Sequence, residues 1–99
     1  MKRILIIEDD QSIAELQRDY LTMGGYEVVC AYDGLEGMEQ IKKGGFDLVI
    51  LDLMLPKKSG FEILTEISDM DIPVLIISAK TDETYIIRGL NLGADDYIT

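Results

Sequence analysis

Residues 4–10 read ILIIEDD, and this stretch decides the fold because an unbroken apolar run ends abruptly in three acids. Four apolar residues without alternation are typical of a strand that is covered on both faces, as in a parallel sheet. The same pattern returns at Leu48–Leu51, which Asp52 follows, and at Val74–Ile77, which Ser78 follows. The sequence therefore predicts three central parallel strands.

Helical segments separate these strands. Between the first two, Ile13, Leu16, Tyr20 and Met23 recur at helical spacing before a glycine pair stops the helix. The predicted elements are, in chain order, a strand at Ile4–Ile7, a helix at 10–23, a strand at Tyr26–Ala31, a helix at Leu35–Lys43, a strand at Leu48–Leu51, a helix at Phe61–Ser68 with Phe61, Leu64 and Ile67 inside, a strand at Pro73–Ile77, a helix at 82–92 and a strand beginning at Tyr97.

This regular alternation predicts the α/β class. Short connections between strand and helix imply right-handed crossovers and an open parallel sheet with helices on both faces. Ninety-nine residues are enough for one domain with one sheet, and no linker or repeat divides them. We therefore expect a single domain over 1–99.

The composition excludes several classes of protein. An apolar share of 47% and a charged share of 28% are typical of a soluble globular domain, and no apolar run approaches the ~20 residues of a membrane span. The chain has no histidine, which excludes Ser-His-Asp and Cys-His catalysis and any histidine-ligated metal within it. Its one cysteine, Cys30, forms no internal disulfide, which fits a cytoplasmic protein.

The charge excludes a further class of function. Nine basic and nineteen acidic residues give a net charge of −10, which repels the phosphate backbone of nucleic acids. We therefore expect no direct contact of this segment with DNA or RNA, and none with a membrane.

The acids that follow the strands predict a site. Ligands of an open parallel sheet bind beyond the carboxyl ends of its strands, where Glu8, Asp9, Asp10, Asp52 and Ser78 would meet. Two like charges ~4 Å apart repel by about 4 kcal/mol at an effective dielectric of ~20. Either one acid holds a proton or a cation lies among them, and a ligand set made of oxygens suits Mg²⁺ or Mn²⁺.

Each of these residues also has a simpler interpretation. Asp9 or Asp10 caps the first helix, and this is the better interpretation for Asp10. Ser78 satisfies backbone groups at the end of a strand. Asp52 is harder to explain in this way, because an acid that ends a wholly apolar central strand has few structural uses. A carboxylate there can act as a nucleophile toward phosphorus.

Five segments form one pattern along the chain: ILIIEDD at 4–10, DLVILDLMLP at 47–56, Ser59-Gly60, PVLIISA at 73–79 and GADDYIT at 93–99. Together they resemble the receiver domain of two-component response regulators, and the last segment is most similar to its winged-helix transcription-factor branch. Each segment is weak alone, but they follow one another in order and at the family spacing over the whole chain.

The resemblance implies a flavodoxin-like fold with strand order 2-1-3-4-5. It also implies that Asp52 accepts a phosphoryl group from a sensor histidine kinase, with the backbone N–H of Ala79 assisting. Ser78 is then the switch hydroxyl and Tyr97 the switch aromatic. The implied Mg²⁺ ligands are Glu8, Asp9, Asp52 and the backbone carbonyl of Met54.

The chain departs from the family pattern at its end. The family places a lysine and then a fifth helix after the fifth strand, whereas this sequence stops at Thr99. We therefore expect a C-terminally incomplete receiver domain whose effector, a DNA-binding transcriptional domain, is absent. We expect a homodimer, formed through the fourth helix and fifth strand or through sheet surface that the missing helix leaves uncovered.

Two other functional classes compete with this interpretation. A haloacid-dehalogenase phosphatase also uses an aspartate at a strand end, but it needs a second acid two residues later, where this chain has Met54. A scaffold that works without phosphorylation predicts no saturable Mg²⁺ binding. We expect a signalling switch rather than an enzyme, apart from catalysis of its own phosphorylation and dephosphorylation.

Overall fold

The computed structural model describes residues 2–52, 60–67, 70, 72–77 and 96–98. The predicted helix at 82–92 lies outside them. The described elements are β1 (Arg3–Ile7), α1 (Gln11–Met23), β2 (Glu27–Ala31), α2 (Gly34–Lys43), β3 (Leu48–Leu51), α3 (Gly60–Ile67), β4 (Val74–Ile77) and β5 (Asp96–Ile98).

The strands form one parallel sheet in the order β2-β1-β3-β4-β5. Ile7 at the end of β1 pairs with Ala31 and with Leu51, and Leu51 pairs with Ile76. The carboxyl ends of these strands therefore lie at one edge of the sheet, which we call the carboxyl edge. The α/β class predicted from the sequence and the strand order implied by the family resemblance are confirmed.

Both faces of β1 are buried, which explains why its sequence does not alternate with polar residues. Leu5 and Ile7 point to the face that α2 and α3 cover, whereas Ile4 and Ile6 point to the face of α1. The α2/α3 face holds the larger core, which consists of Leu5, Ile7, Ala31, Met38, Ile41, Val49, Leu51, Ile63, Leu64, Ile67, Val74 and Ile76.

Each of the first two helices begins at an aspartate cap. The Asp10 carboxylate accepts a hydrogen bond from the Ile13 N–H at 3.1 Å, and the Asp33 carboxylate accepts one from the Glu36 N–H at 2.8 Å. Such caps satisfy backbone donors that the first helical turn leaves without partners. They fix where α1 and α2 leave the carboxyl edge.

The apolar stripe of α1 is mostly exposed. Leu16, Tyr20 and Met23 are 71%, 79% and 87% exposed, and Ile13 is 44% exposed. The helix packs on the sheet through the small side chain of Ala14, which is fully buried. The stripe lies beside the contact with the sheet rather than within it, so helical spacing alone identified the helix but not its buried side.

The buried side of α3 is wider than expected. Leu64 and Ile67 are buried as predicted, and Ile63 is fully buried beside them. The Phe61 side chain lies outside the described part of the chain. Two adjacent buried positions are explained by the location of α3 against the large core.

Candidate functional site

Three carboxylates converge at the carboxyl edge. Glu8 and Asp9 follow β1 and Asp52 follows β3, and one carboxylate oxygen of each lies within 4.8 Å of the others. Glu8 and Asp52 are half-buried, whereas Asp9 is exposed. We call these three residues the acid cluster.

The sheet fixes the backbone of the cluster. The Glu8 N–H donates to the carbonyl oxygen of Ala31 at 3.0 Å, and the Asp52 N–H donates to that of Ile7 at 3.1 Å. Both bonds continue the pairing of the parallel strands by one residue beyond their ends. Glu8 and Asp52 are therefore held at the edge of the sheet rather than on free loops.

The crowding of negative charge is visible in Glu8. Partial burial raises the pKa of its carboxyl to about 8, and hydrogen bonds with the Asp9 and Asp52 carboxyls and the charge of Asp52 act in the same direction. The N–H of Asp10 opposes them by donating to Glu8 Oε2 at 3.4 Å. Of the two outcomes of crowding, a held proton or a bound cation, the protein alone favours a proton on Glu8.

The chemistry of the cluster suits a hard divalent cation. The three donors are all carboxylate oxygens, which Mg²⁺ and Mn²⁺ prefer, and the distances among them let one ion contact more than one acid. A cation would also offset the charge of Asp52, which is one of the smaller causes of the raised Glu8 pKa after burial. The residues present therefore fit the ion that the sequence suggests.

Asp10 has a different role from Glu8 and Asp9. Its carboxylate caps α1, as the helix-cap interpretation expects, and it is not one of the three converging acids. The contact between the Asp10 N–H and Glu8 was not predicted, because a backbone donor leaves no signature in the residue type.

The remaining predicted site residues fall largely outside the described part of the chain. Met54, Ser78 and Ala79 lie outside it altogether. Tyr97 lies on β5, where its backbone is paired with Ile76, and its side chain lies outside the described part. The roles expected of these four residues stay predictions.

The helices of the described segments are all too short or too polar to cross a membrane.

Comparisons with known proteins identify relatives of the whole chain. A family model described as the response regulator receiver domain matches residues 4–99. The chain is 44% identical over 99 residues to the transcriptional regulatory protein DltR of Streptococcus agalactiae, covering 98% of this chain and 44% of that protein. It is 47% identical over 95 residues to YcbL of Bacillus subtilis, an uncharacterized transcriptional regulatory protein, covering 95% and 42%.

A solved structure with a ligand shares this fold. The response regulator protein TrrA of Thermotoga maritima, in complex with Mg²⁺ and BeF, superposes with a TM-score of 0.90 at 33% identity, covering 100% of this chain and 86% of that one. The chain spans less than half the length of the curated relatives.

Proposed function

The chain belongs to the family of response regulator receiver domains of bacterial two-component systems, and we propose that it is switched by a phosphoryl group on Asp52. A sensor histidine kinase supplies that group in a reaction that depends on Mg²⁺. The switch controls an effector domain, which we propose to be a DNA-binding transcriptional domain as the names of the relatives suggest. Such a chain works in the cytoplasm as a signalling domain rather than a classical enzyme.

One observation carries this proposal. Asp52 lies within 4.8 Å of two further carboxylates on a rigid sheet edge, where its N–H is bonded to the carbonyl oxygen of Ile7. A carboxylate nucleophile for phosphorus needs a partner that offsets negative charge, and Glu8 and Asp9 can hold such a partner beside it. Placing Asp52 among like charges costs free energy, which a bound cation would offset.

The chemistry of the transfer follows from the residues present. The chain has no histidine, so the phosphorylated histidine belongs to the partner kinase. A carboxylate oxygen of Asp52 attacks the phosphorus, the O–P bond forms, and the N–P bond breaks with its electron pair returning to the imidazole nitrogen. The products are an acyl phosphate on Asp52 and a free histidine. The imidazole nitrogen that receives the electron pair takes up a proton, which balances the charge.

In this proposal Asp52 attacks the phosphorus, and Glu8 and Asp9 help to bind the cation. When bound, Mg²⁺ supplies positive charge that offsets the charge of the transferred group. Glu8 and Asp9 would hold it together with Asp52 and, as a further part of the proposal, the carbonyl of Met54. Glu8 also has to release its proton to serve as a ligand, since burial and its neighbours raise its pKa to about 8.

The rest of the proposal concerns the changes that follow phosphorylation. Ser78 and the Ala79 N–H contact the phosphoryl group, and Tyr97 moves as the Ser78 hydroxyl moves. The face around β5 then forms a homodimer. The chain itself makes no contact with nucleic acid, in keeping with its net charge of −10.

Labelling with a small phosphodonor tests the proposal. Acetyl phosphate and Mg²⁺ should add one phosphoryl group, which intact-mass spectrometry detects, and Asp52→Asn should abolish the addition because an amide is not a nucleophile here. Asp19→Asn is a matched control, since Asp19 is an exposed acid on α1 that pairs with Arg18 at 3.3 Å. Labelling that survives Asp52→Asn would reject Asp52 as the acceptor, and sustained turnover of p-nitrophenyl phosphate would favour a phosphatase.

A further inference from the structure

Asp10 joins the start of α1 to the acid cluster through three hydrogen bonds. Its carboxylate accepts from the Ile13 N–H at 3.1 Å, and its carbonyl oxygen accepts from the Ala14 N–H at 2.9 Å. Its own N–H donates to Glu8 Oε2 at 3.4 Å. The residue that begins the helix is therefore also a partner of a proposed metal ligand.

These bonds act on the same short backbone segment. Residues 8–10 turn from the end of β1 into α1, and the Glu8 backbone is held at 3.0 Å by the carbonyl oxygen of Ala31. The backbone of Glu8 is thus fixed from the sheet side, whereas its carboxylate is held from the helix side by an N–H. An N–H that donates to a carboxylate favours the ionised form and fixes its orientation.

We propose that Asp10 is a positioning residue for the acid cluster: by capping α1 it holds its own N–H toward the Glu8 carboxylate, and so sets the affinity of the cluster for a divalent cation. This inference rests on the proposed function. Loss of the cap frees the first turn of α1, and the N–H that belongs to the same residue then moves away from Glu8. Removing a residue that hydrogen-bonds to a metal ligand typically lowers the metal affinity by about 10–100-fold.

The negative charge of Asp10 gives a competing explanation, because any acid near the site attracts a cation. Substitutions separate the two. Asp10→Asn removes the charge and keeps an oxygen that caps helices well, whereas Asp10→Ala removes both. If Asp10 acts through its charge, both variants should lose the same Mg²⁺ affinity. If it acts through capping, the alanine variant should lose affinity and the asparagine variant should largely keep it.

Calorimetric titration of the full chain with MgCl₂ measures the effect. We expect Asp10→Ala to raise the Kd for Mg²⁺ about five- to tenfold and Asp10→Asn to change it less than about twofold. Asp33→Ala is a matched control, since it removes an equivalent cap and an acid from α2 on the opposite face of the sheet. It should leave the Kd within about twofold.

A double substitution tests whether Asp10 acts through Glu8. In a Glu8→Gln background, adding Asp10→Ala should change the Kd less than about twofold, because the carboxylate that the N–H positions is gone. Circular dichroism confirms folding at the titration temperature. If the alanine variant does not fold, Asp10→Gly replaces it, because glycine also removes the accepting oxygen but at a smaller cost in helix stability. Asp10→Gly should then raise the Kd for Mg²⁺ more than Asp10→Asn does.

The outcomes separate this inference from the function on which it rests. Equal losses in Asp10→Ala and Asp10→Asn, an equal loss in Asp33→Ala, or an undiminished effect in the Glu8→Gln background would overturn the positioning role alone. A folded wild-type chain without saturable Mg²⁺ binding would overturn the proposed function together with it.

Discussion

Removing the charge of Asp52 should stabilise the metal-free protein at alkaline pH. The carboxylate oxygens of the cluster lie at most 4.8 Å apart, and two unit charges at that distance repel by about 3.5 kcal/mol at an effective dielectric of ~20. Physiological salt, with a screening length of ~8 Å, and the partial exposure of the acids reduce this to about 1–2 kcal/mol. We therefore expect Asp52→Asn to raise the free energy of unfolding by about 1–2 kcal/mol where all three acids are ionised.

The effect should depend on pH because Glu8 titrates. Its pKa is about 8 in the folded protein against 4.5 for the ordinary group, so the folded state binds the proton more tightly than the unfolded state does. This contribution to stability is fully present below about pH 4.5 and is lost as the pH rises through about 8. Asp52→Asn removes one cause of the raised pKa, so the loss of stability with pH should be smaller in the variant.

Urea unfolding in EDTA at pH 5, 7 and 9 measures the difference. At pH 5 the Glu8 carboxyl is protonated and the variant should gain little or nothing over the wild type, whereas at pH 9 it should gain the full amount. Asp19→Asn corrects for the general effect of lowering the net charge of −10. A difference that does not vary with pH, or a variant that is less stable than the wild type at pH 9, would refute this account of the cluster.

Two further substitutions test the packing that supports the site. Gly37→Ala should lower the free energy of unfolding by up to about 2 kcal/mol, because a Cβ there would lie 2.6 Å from Ile7 Cδ1. Overpacking costs about 1–3 kcal/mol, against a helix-propensity gain of about 1 kcal/mol. A more stable alanine variant in urea unfolding would contradict this. Leu64→Ala should cost about 2–5 kcal/mol because Leu64 is fully buried, whereas the same change at Leu35, which is 54% exposed, should stay within about 0.5 kcal/mol. Equal losses of thermal stability in the Leu64→Ala and Leu35→Ala variants would show that Leu64 is not a core residue.

The fold could be read from the sequence because burial on both faces removes polar residues from the strands. Residues 4–7 are apolar without a break, and the structure places Ile4 and Ile6 on one face and Leu5 and Ile7 on the other. The edge that carries the site followed from the same pattern, since parallel strands end at one edge and the acids come directly after them.

Other features depend on what lies opposite a residue, which a single sequence does not record. Helical spacing identified the stripe of α1 but not that Tyr20 is 79% exposed. Charge crowding predicted that either one acid holds a proton or a cation lies among them, yet the raised pKa of Glu8 depends on its burial and on contacts with Asp9 and Asp52. The hydrogen bond from the Asp10 N–H to Glu8 is donated by the backbone, so the residue type at position 10 does not predict it.

Chemical mapping of the phosphorylated residue tests the central claim most directly. Borohydride reduces an acyl phosphate on aspartate to homoserine, which peptide mass spectrometry locates in the chain. After treatment with acetyl phosphate and Mg²⁺, the account predicts homoserine at position 52, with Asp9 and Asp10 unmodified. Homoserine at either of those acids, or none in a protein that is folded and saturated with Mg²⁺, would contradict it.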